Sequence, residues 1–174
     1  MPNSSSLLMP GRSTQDLLIK LIENVAVFES FTPAELLELL TGSEKRMAKK
    51  GEVIIREGDS GRFMYLLIEG EAQVSKQGKD IFVTHSLAAL KPGECFGEMA
   101  LVDPALRSAT VEALTDCVMI RFQESDCWKN PAISSKIYRN IARILASRLR
   151  ELQQIVINGD PGELFFPSDT DTES

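Results

Sequence analysis

The stretch from Gly93 to Thr110, GECFGEMALVDPALRSAT, holds the residues of this chain best spaced to do chemistry on a small molecule. Gly97 permits close backbone approach, and Glu98 to Val102 can form one helical turn that must stop before Pro104. The first amides of such a turn lack helical acceptors and lie at the positive end of the helix dipole, which favours an anion. Past a turn at Asp103-Pro104 the chain returns with Arg107, whose planar fork suits phosphate oxygens, and with Ser108, a hydroxyl donor. Glu98 is the odd residue in this set. A carboxylate beside an anion site repels the ligand unless it accepts a hydrogen bond from it. The expected ligand therefore carries a negative group and a nearby hydroxyl on one rigid frame, and a ribose 3′,5′-cyclic phosphate is such a frame. With one Arg on offer and no GxxxxGK[ST] loop, a magnesium-bound triphosphate fits poorly.

Other constellations are weaker. Glu57 to Gly61 contains GDSG, a fragment familiar from serine proteases, but a triad needs His, Asp and oxyanion geometry together. A β-turn is the expected structure there. His85, the single histidine, sits in a strand-like run and reads as a surface or half-buried residue, not a catalytic base. Cys95, Cys117 and Cys127 show no CxxC pairing, so buried or idle thiols are expected in place of a disulfide scaffold or zinc site. No catalytic residue, metal ligand or cofactor is predicted, and the chain reads as a binding protein, not an enzyme.

FGEMAL followed by RSAT resembles the phosphate-binding cassette of cyclic-nucleotide-binding domains, as in the bacterial catabolite activator and protein kinase A regulatory subunits. The resemblance runs from about Val27 to Leu149 and includes Gly58, Gly70 and the helix start at Asn130-Pro131. It implies that Glu98 takes the ribose 2′-OH and Arg107 the cyclic phosphate. Backbone amides near Gly97, Glu98 and Ala109, with Ser108, would close the cage. Phe96, Gly97, Glu98, Met99, Ala100, Arg107, Ser108, Ala109 and Arg148 are therefore the ligand-binding candidates. The implied fold is α+β: a β-roll, a jelly-roll-like antiparallel barrel, flanked by N-terminal helices and a long C-terminal helix. The implied ligand is cAMP, with cGMP as the alternative, because Ser108 can serve either phosphate or base. A degenerate interaction domain that has lost its nucleotide is a further alternative, and the intact Glu98 and Arg107 argue against it.

Local pattern supplies the elements that must position these residues. Ser13-Thr14-Gln15-Asp16 looks like a capping box, followed by an apolar face of Leu17, Leu18, Leu21, Ile22 and Val25. Thr32 caps a second helix with Pro33 at its first position, Glu35 completing the box and Leu36, Leu37, Leu39 and Leu40 as the stripe, until Thr41-Gly42. From Lys45 to Phe122, β-rich runs (Val53 to Ile55, Phe63 to Ile68, Ile81 to Val83, Val118 to Phe122) alternate with glycines, which suggests a sandwich, jelly roll or barrel. A long helix follows Asn130-Pro131 and runs to about Ile157. Its Ile133, Ile137, Ile141, Ile144, Leu145, Leu149, Leu152, Ile155 and Val156 share one side, while Lys136, Arg139, Arg143 and Arg150 share a solvated side. Arg148 falls inside the apolar arc. By the resemblance this helix lies over the base, so Arg148 is either a cation–π lid on the purine or a snorkelling side chain. Leu145, Leu149, Leu152 and Val156 repeat at coiled-coil spacing, which predicts a weak homodimer through this helix.

The 174 residues are expected to divide into a disordered tail 1–12, one domain 13–157 and an acidic disordered tail 158–174. A net charge of −6 argues against a nucleic-acid binder, and five of the acidic residues lie in the last tail, which has no Lys or Arg. That tail is too short and of the wrong charge for a DNA-reading helix-turn-helix. No apolar run approaches the ~20 residues that span a membrane, and no secretory signal opens the chain. The expectation is a cytoplasmic, stand-alone sensor acting on a protein effector that the sequence does not identify.

Overall fold

The run Phe63-Met64-Tyr65-Leu66-Leu67 is apolar at every position because the strand it forms is covered on both faces. In the computed structural model, which describes residues 14–78, 84–103 and 105–158 apart from the side chains of 155–158, this strand is β3 (Phe63–Glu69). With β1 (Glu44–Ala48), β6 (Cys95–Phe96) and β8 (Cys117–Gln123) it forms an antiparallel sheet in the order β1-β8-β3-β6. A second antiparallel sheet runs β2-β7-β4-β5, from β2 (Val53–Ile55), β4 (Ala72–Gln77), β5 (Thr84–Leu90) and β7 (Thr110–Ala113). Successive side chains of a strand point to opposite faces. Tyr65 and Leu67 accordingly pack with Phe96, Val111, Ala113 and Met119 between the sheets, while Met64 and Leu66 pack with Phe122 and the helices. The two sheets make an open roll: among the described residues the expected barrel does not close, since β1, β6, β2 and β5 remain sheet edges.

The helices are α1 (Thr14–Asn24), α2 (Pro33–Thr41), the single turn α3 (Met99–Val102), α4 (Glu124–Trp128) and α5 (Pro131–Asn158), with a 3-10 turn at Ala26–Phe28. The second capping box is present as expected. Thr32 Oγ1 accepts from the Glu35 amide at 3.3 Å, and the Glu35 carboxylate accepts from the Thr32 amide at 2.7 Å. Leu36 and Leu39 of the stripe are buried, but Leu37 is 49% exposed, because a helix lying on one surface buries positions three apart. The basic face of α5 is solvated at Arg139, Arg143 and Arg150, while Lys136 is half-buried. Lys136 Nζ reaches Glu35 at 2.7 Å and Arg143 pairs with Glu29, so two of its cations tie α5 to the N-terminal helices. The Lys136 ammonium, followed by the Thr32 amide, holds the Glu35 carboxyl below its ordinary value.

Ile133, Ile137 and Ile141 are fully buried on the inner side of α5. Between them lies Asn140, 1% exposed, whose Nδ2 donates to the carbonyls of Val27 at 3.0 Å and Glu29 at 2.9 Å. Hydrophobic periodicity gives no hint of this polar pin. Leu145 and Leu152 are half-buried against a cavity and Leu149 is exposed at its mouth, so the 4-3-4 repeat is used in large part within the chain. No helix among the described residues is long and apolar enough to cross a membrane. The expected tails at 1–12 and 158–174, the latter apart from Asn158, which belongs to α5, lie outside the described residues, as do the Ser13 cap, the Ile81–Val83 strand, the Pro104 turn and the side chains of Ile155 and Val156.

Asn140→Ala leaves two backbone carbonyls without their donor, and each uncompensated buried group costs about 1–3 kcal/mol. Urea titration is expected to show a stability loss of about 2 kcal/mol or more. A loss below about 0.5 kcal/mol would mean that water replaces the amide and that α5 is held by its isoleucines alone.

Candidate functional site

The pairing of β6 with β3, Tyr65 opposite Phe96, brings the chain to Gly97 at the edge of the first sheet. Phe96 is buried and stacks on Tyr65, ring centroids 5.2 Å apart, so it supports the site from below. Gly97 adopts φ +73°, and an added Cβ would stand 2.9 Å from Arg107 Nη1 and 2.9 Å from Ile55 Cδ1. Glu98 then enters α3, with the Leu101 amide donating to its carbonyl at 3.0 Å. The expected turn exists, and it ends at Asp103, whose amide reaches the Met99 carbonyl at 2.8 Å.

Arg107 is fixed from outside its own segment. Its amide donates to the Asp59 carbonyl and its carbonyl accepts from the Gly58 amide, both at 2.9 Å. The GDSG turn, dismissed as a protease fragment, is thus the rail that holds the arginine backbone. Gly61 of the same turn leaves room for the side chain, since a Cβ there would stand 2.8 Å from the Phe63 ring and 3.1 Å from Arg107 Nη2. Arg107 as a whole residue is 7% exposed. Its Nη1 donates to the Gly97 carbonyl and its Nη2 to the Phe63 carbonyl, each at 2.8 Å, and Cζ lies 4.4 Å from the Phe63 ring centroid. Burial is the main cause that pulls its pKa below the ordinary value, with Arg121 adding to it and Tyr65 and Glu98 opposing. Arginine nevertheless stays charged. Among the described residues Arg107 makes no ion pair. Two of its five N–H donors meet carbonyls, and three remain to offer.

Glu98 has a different counterpart. Its side chain is 5% exposed and is paired with Arg148 of α5, 33% exposed. The guanidinium expected over the base is therefore engaged by the carboxylate expected to meet the ribose. Between these charges lies a cavity of about 420 Å³. All nine candidate residues line it: Phe96, Gly97, Glu98, Met99, Ala100, Arg107, Ser108, Ala109 and Arg148. They do not contribute alike. Ala100 is buried, Met99 is exposed at the mouth, and Ser108 is exposed with its hydroxyl 3.9 Å from the Met99 sulfur. The apolar wall was missed by sequence reasoning: Val74 and the β5 residues Leu87 to Leu90 face Ile144, Leu145 and Leu152 of α5. No short-range pattern marks it, because it forms only when β5 and α5 come to line one cavity.

The site can bind an anion and a hydroxyl and seat an apolar body between them. His85 and Ser60 are exposed and do not line the cavity, while Ser147 of its wall donates to the Glu151 carboxylate at 3.1 Å. All three cysteines are buried and none is in a disulfide, and burial with neighbouring carboxylates pushes Cys127 up to about 12. Among the described residues no group of three or more His, Cys, Asp or Glu could hold a metal ion.

Residues 45–129 match the family described as Cyclic nucleotide-binding domain. The chain is 34% identical over 104 residues to the cAMP-dependent protein kinase regulatory subunit of Schizosaccharomyces pombe, covering 60% of this chain and 24% of that protein. It is 32% identical over 131 residues to the cyclic AMP receptor protein of Thermus thermophilus, covering 72% of this chain and 57% of that protein. The crystal structure of the Thermus thermophilus catabolite activator protein superposes with a TM-score of 0.69 at 30% identity, over 75% of this chain and 61% of that one. The chain thus spans less than two thirds of each of these relatives.

Gly97→Ala forces a left-handed backbone on a residue with a Cβ, a cost of about 1–2 kcal/mol, and drives that Cβ against Arg107. A fall in unfolding free energy at least this large is expected in urea. An unchanged midpoint would show that the guanidinium gives way freely.

Proposed function

The chain belongs to the cyclic nucleotide-binding domain family through residues 45–129, and on that premise we propose that it is a receptor for a 3′,5′-cyclic nucleotide, cAMP in the first place. The observation that carries this reading is Arg107: a buried cation, oriented by two carbonyls, with no ion pair among the described residues. A buried charge is costly unless paired, so its partner is the ligand's phosphate. Glu98 accepts from the ribose 2′-OH, Ser108 and the amides around Gly97, Glu98 and Ala109 complete the polar cage, and the purine lies against the apolar wall. A cavity of about 420 Å³ is in the range of small-molecule sites, which begins at roughly 300 Å³. Both relatives whose names state a ligand state cyclic AMP. The protein senses and does not transform: binding transmits through α5, whose Arg148 meets the same carboxylate as the ribose.

Calorimetric titration with cAMP, cGMP and 5′-AMP tests the reading. Cyclic nucleotides are expected to bind and 5′-AMP to bind far more weakly, and absence of binding by both cyclic nucleotides would overturn it. Tighter binding of cGMP than cAMP would transfer the Ser108 hydroxyl to guanine. Arg107→Ala is expected to lose about 2–5 kcal/mol of affinity, with Arg107→Lys recovering only part, because a point ammonium lacks the fork. Wild-type affinity in Arg107→Ala would remove the phosphate assignment.

Arg148→Ala leaves Glu98 buried beside a bound anion without its cation. About tenfold weaker cAMP binding is expected, near 1.4 kcal/mol, together with faster hydrogen exchange in the last turns of α5. Unchanged exchange would mean that the pair does not hold the helix.

A further inference from the structure

Sheet register puts Phe63, Tyr65 and Leu67 on one face of β3, with Arg121 of β8 directly opposite Tyr65. A diagonal neighbour in such a sheet is within reach of a long side chain. Arg121 Cζ lies 4.2 Å from the Phe63 ring centroid, and Arg107 Cζ lies 4.4 Å from the same centroid. One ring therefore serves two guanidinium groups. The ring is itself braced: Phe63 meets Tyr65 edge-on at 5.5 Å, and Tyr65 stacks on Phe96 at 5.2 Å. Phe96 precedes Gly97, whose carbonyl takes Arg107 Nη1, while the Phe63 carbonyl takes Nη2. The aromatic ladder Phe63–Tyr65–Phe96 thus runs between the two carbonyls that grip the arginine.

We propose that Phe63 is the positioning residue for Arg107, holding the guanidinium through its ring and carbonyl while leaving the positive charge uncancelled for an anionic ligand. This rests on the cyclic-nucleotide reading of the site. A carboxylate at position 63 would orient Arg107 equally well but would neutralise it, and the phosphate would then have to displace an ion pair. A ring attracts the cation through its quadrupole and carries no net charge. Arg121 works in the same sense. Its carboxylate partner, Glu44, is 3.9 Å away, so it adds positive potential behind Arg107. Gly61 completes the device, because any Cβ there would enter the space shared by the ring and the guanidinium.

Two measurements on the full chain test the proposal. In the ligand-free protein, NMR is expected to show the Arg107 side-chain Nε–H resonance displaced by the Phe63 ring current, with the displacement lost in Phe63→Leu and kept in Phe63→Tyr. Calorimetry with cAMP and cGMP is expected to show Phe63→Leu and Phe63→Met weakened about 3- to 30-fold, and Phe63→Tyr close to the parent. Because methionine fills the volume without a ring, equal affinities for Phe63→Met and Phe63→Tyr would reduce Phe63 to packing and overturn the proposal. A parent Arg107 resonance with no ring-current displacement would overturn it too. If Phe63→Leu does not fold, Gly61→Ala disturbs the stack with the ring retained. It should shift the same resonance and weaken binding, and a Gly61→Ala protein with parental resonance and affinity would count against the stack. A parent that binds neither nucleotide defeats the functional reading, while the resonance still decides the stack.

Discussion

A buried arginine whose guanidinium is held by carbonyls and a ring in place of an acid is the arrangement from which the rest of this structure follows. Desolvation works against the charge, and orientation must therefore be supplied by neutral groups. That requirement explains several separate features. Gly97 takes a left-handed conformation so that its carbonyl can reach Nη1. The GDSG turn presents backbone to backbone and aligns the arginine before its side chain is placed. Glu98, the buried carboxylate of the cavity, is meanwhile occupied by Arg148.

The framework that fixes this geometry is β3, which has two interiors. One face belongs to the helical core of Leu66, Phe122 and the α5 isoleucines, the other to the layer between the sheets where Tyr65 and Phe96 stack. Helix α5 joins these regions. Its first half is bolted to the N-terminal helices by Ile133, Ile137, Ile141 and the Asn140 amide, and its second half extends over the cavity. Asn140 and Arg148 thus sit on one helix, the first fastened to backbone carbonyls and the second to the buried carboxylate of the cavity.

What could be read from the residues was whatever is encoded over short spans. The Thr32–Glu35 box, the turn after Gly97, the start of α5 at Pro131 and the presence of a β-rich middle depend on neighbours within a few positions. The nine cassette and lid residues were assembled largely through resemblance, and the cavity does gather them. Contacts between distant segments were beyond such reading. Arg107 with Phe63, Arg148 with Glu98 and Lys136 with Glu35 are separated by 44, 50 and 101 positions. Periodicity marked Lys136 as solvated because it registers the face of a helix and not what packs beside it, whereas Arg139, Arg143 and Arg150 are exposed as it marked them. It placed Leu37 in the stripe for the same reason, and short-strand spacing alone left open whether the sheet closes.

The rail between Arg107 and the Gly58-Asp59 turn also bears on how such a protein can change over evolutionary time. Because the arginine backbone is registered against a separate segment, the stretch from the end of α3 to Leu106 is not the ruler that measures its position. Ala105 and Leu106 are exposed. Closing a longer excursion there costs only about 0.6 kcal/mol for each doubling of its length. Insertions and deletions can accumulate at this point while the charge stays where it is, making the loop a natural place for lineages to acquire new surface without rebuilding their recognition chemistry.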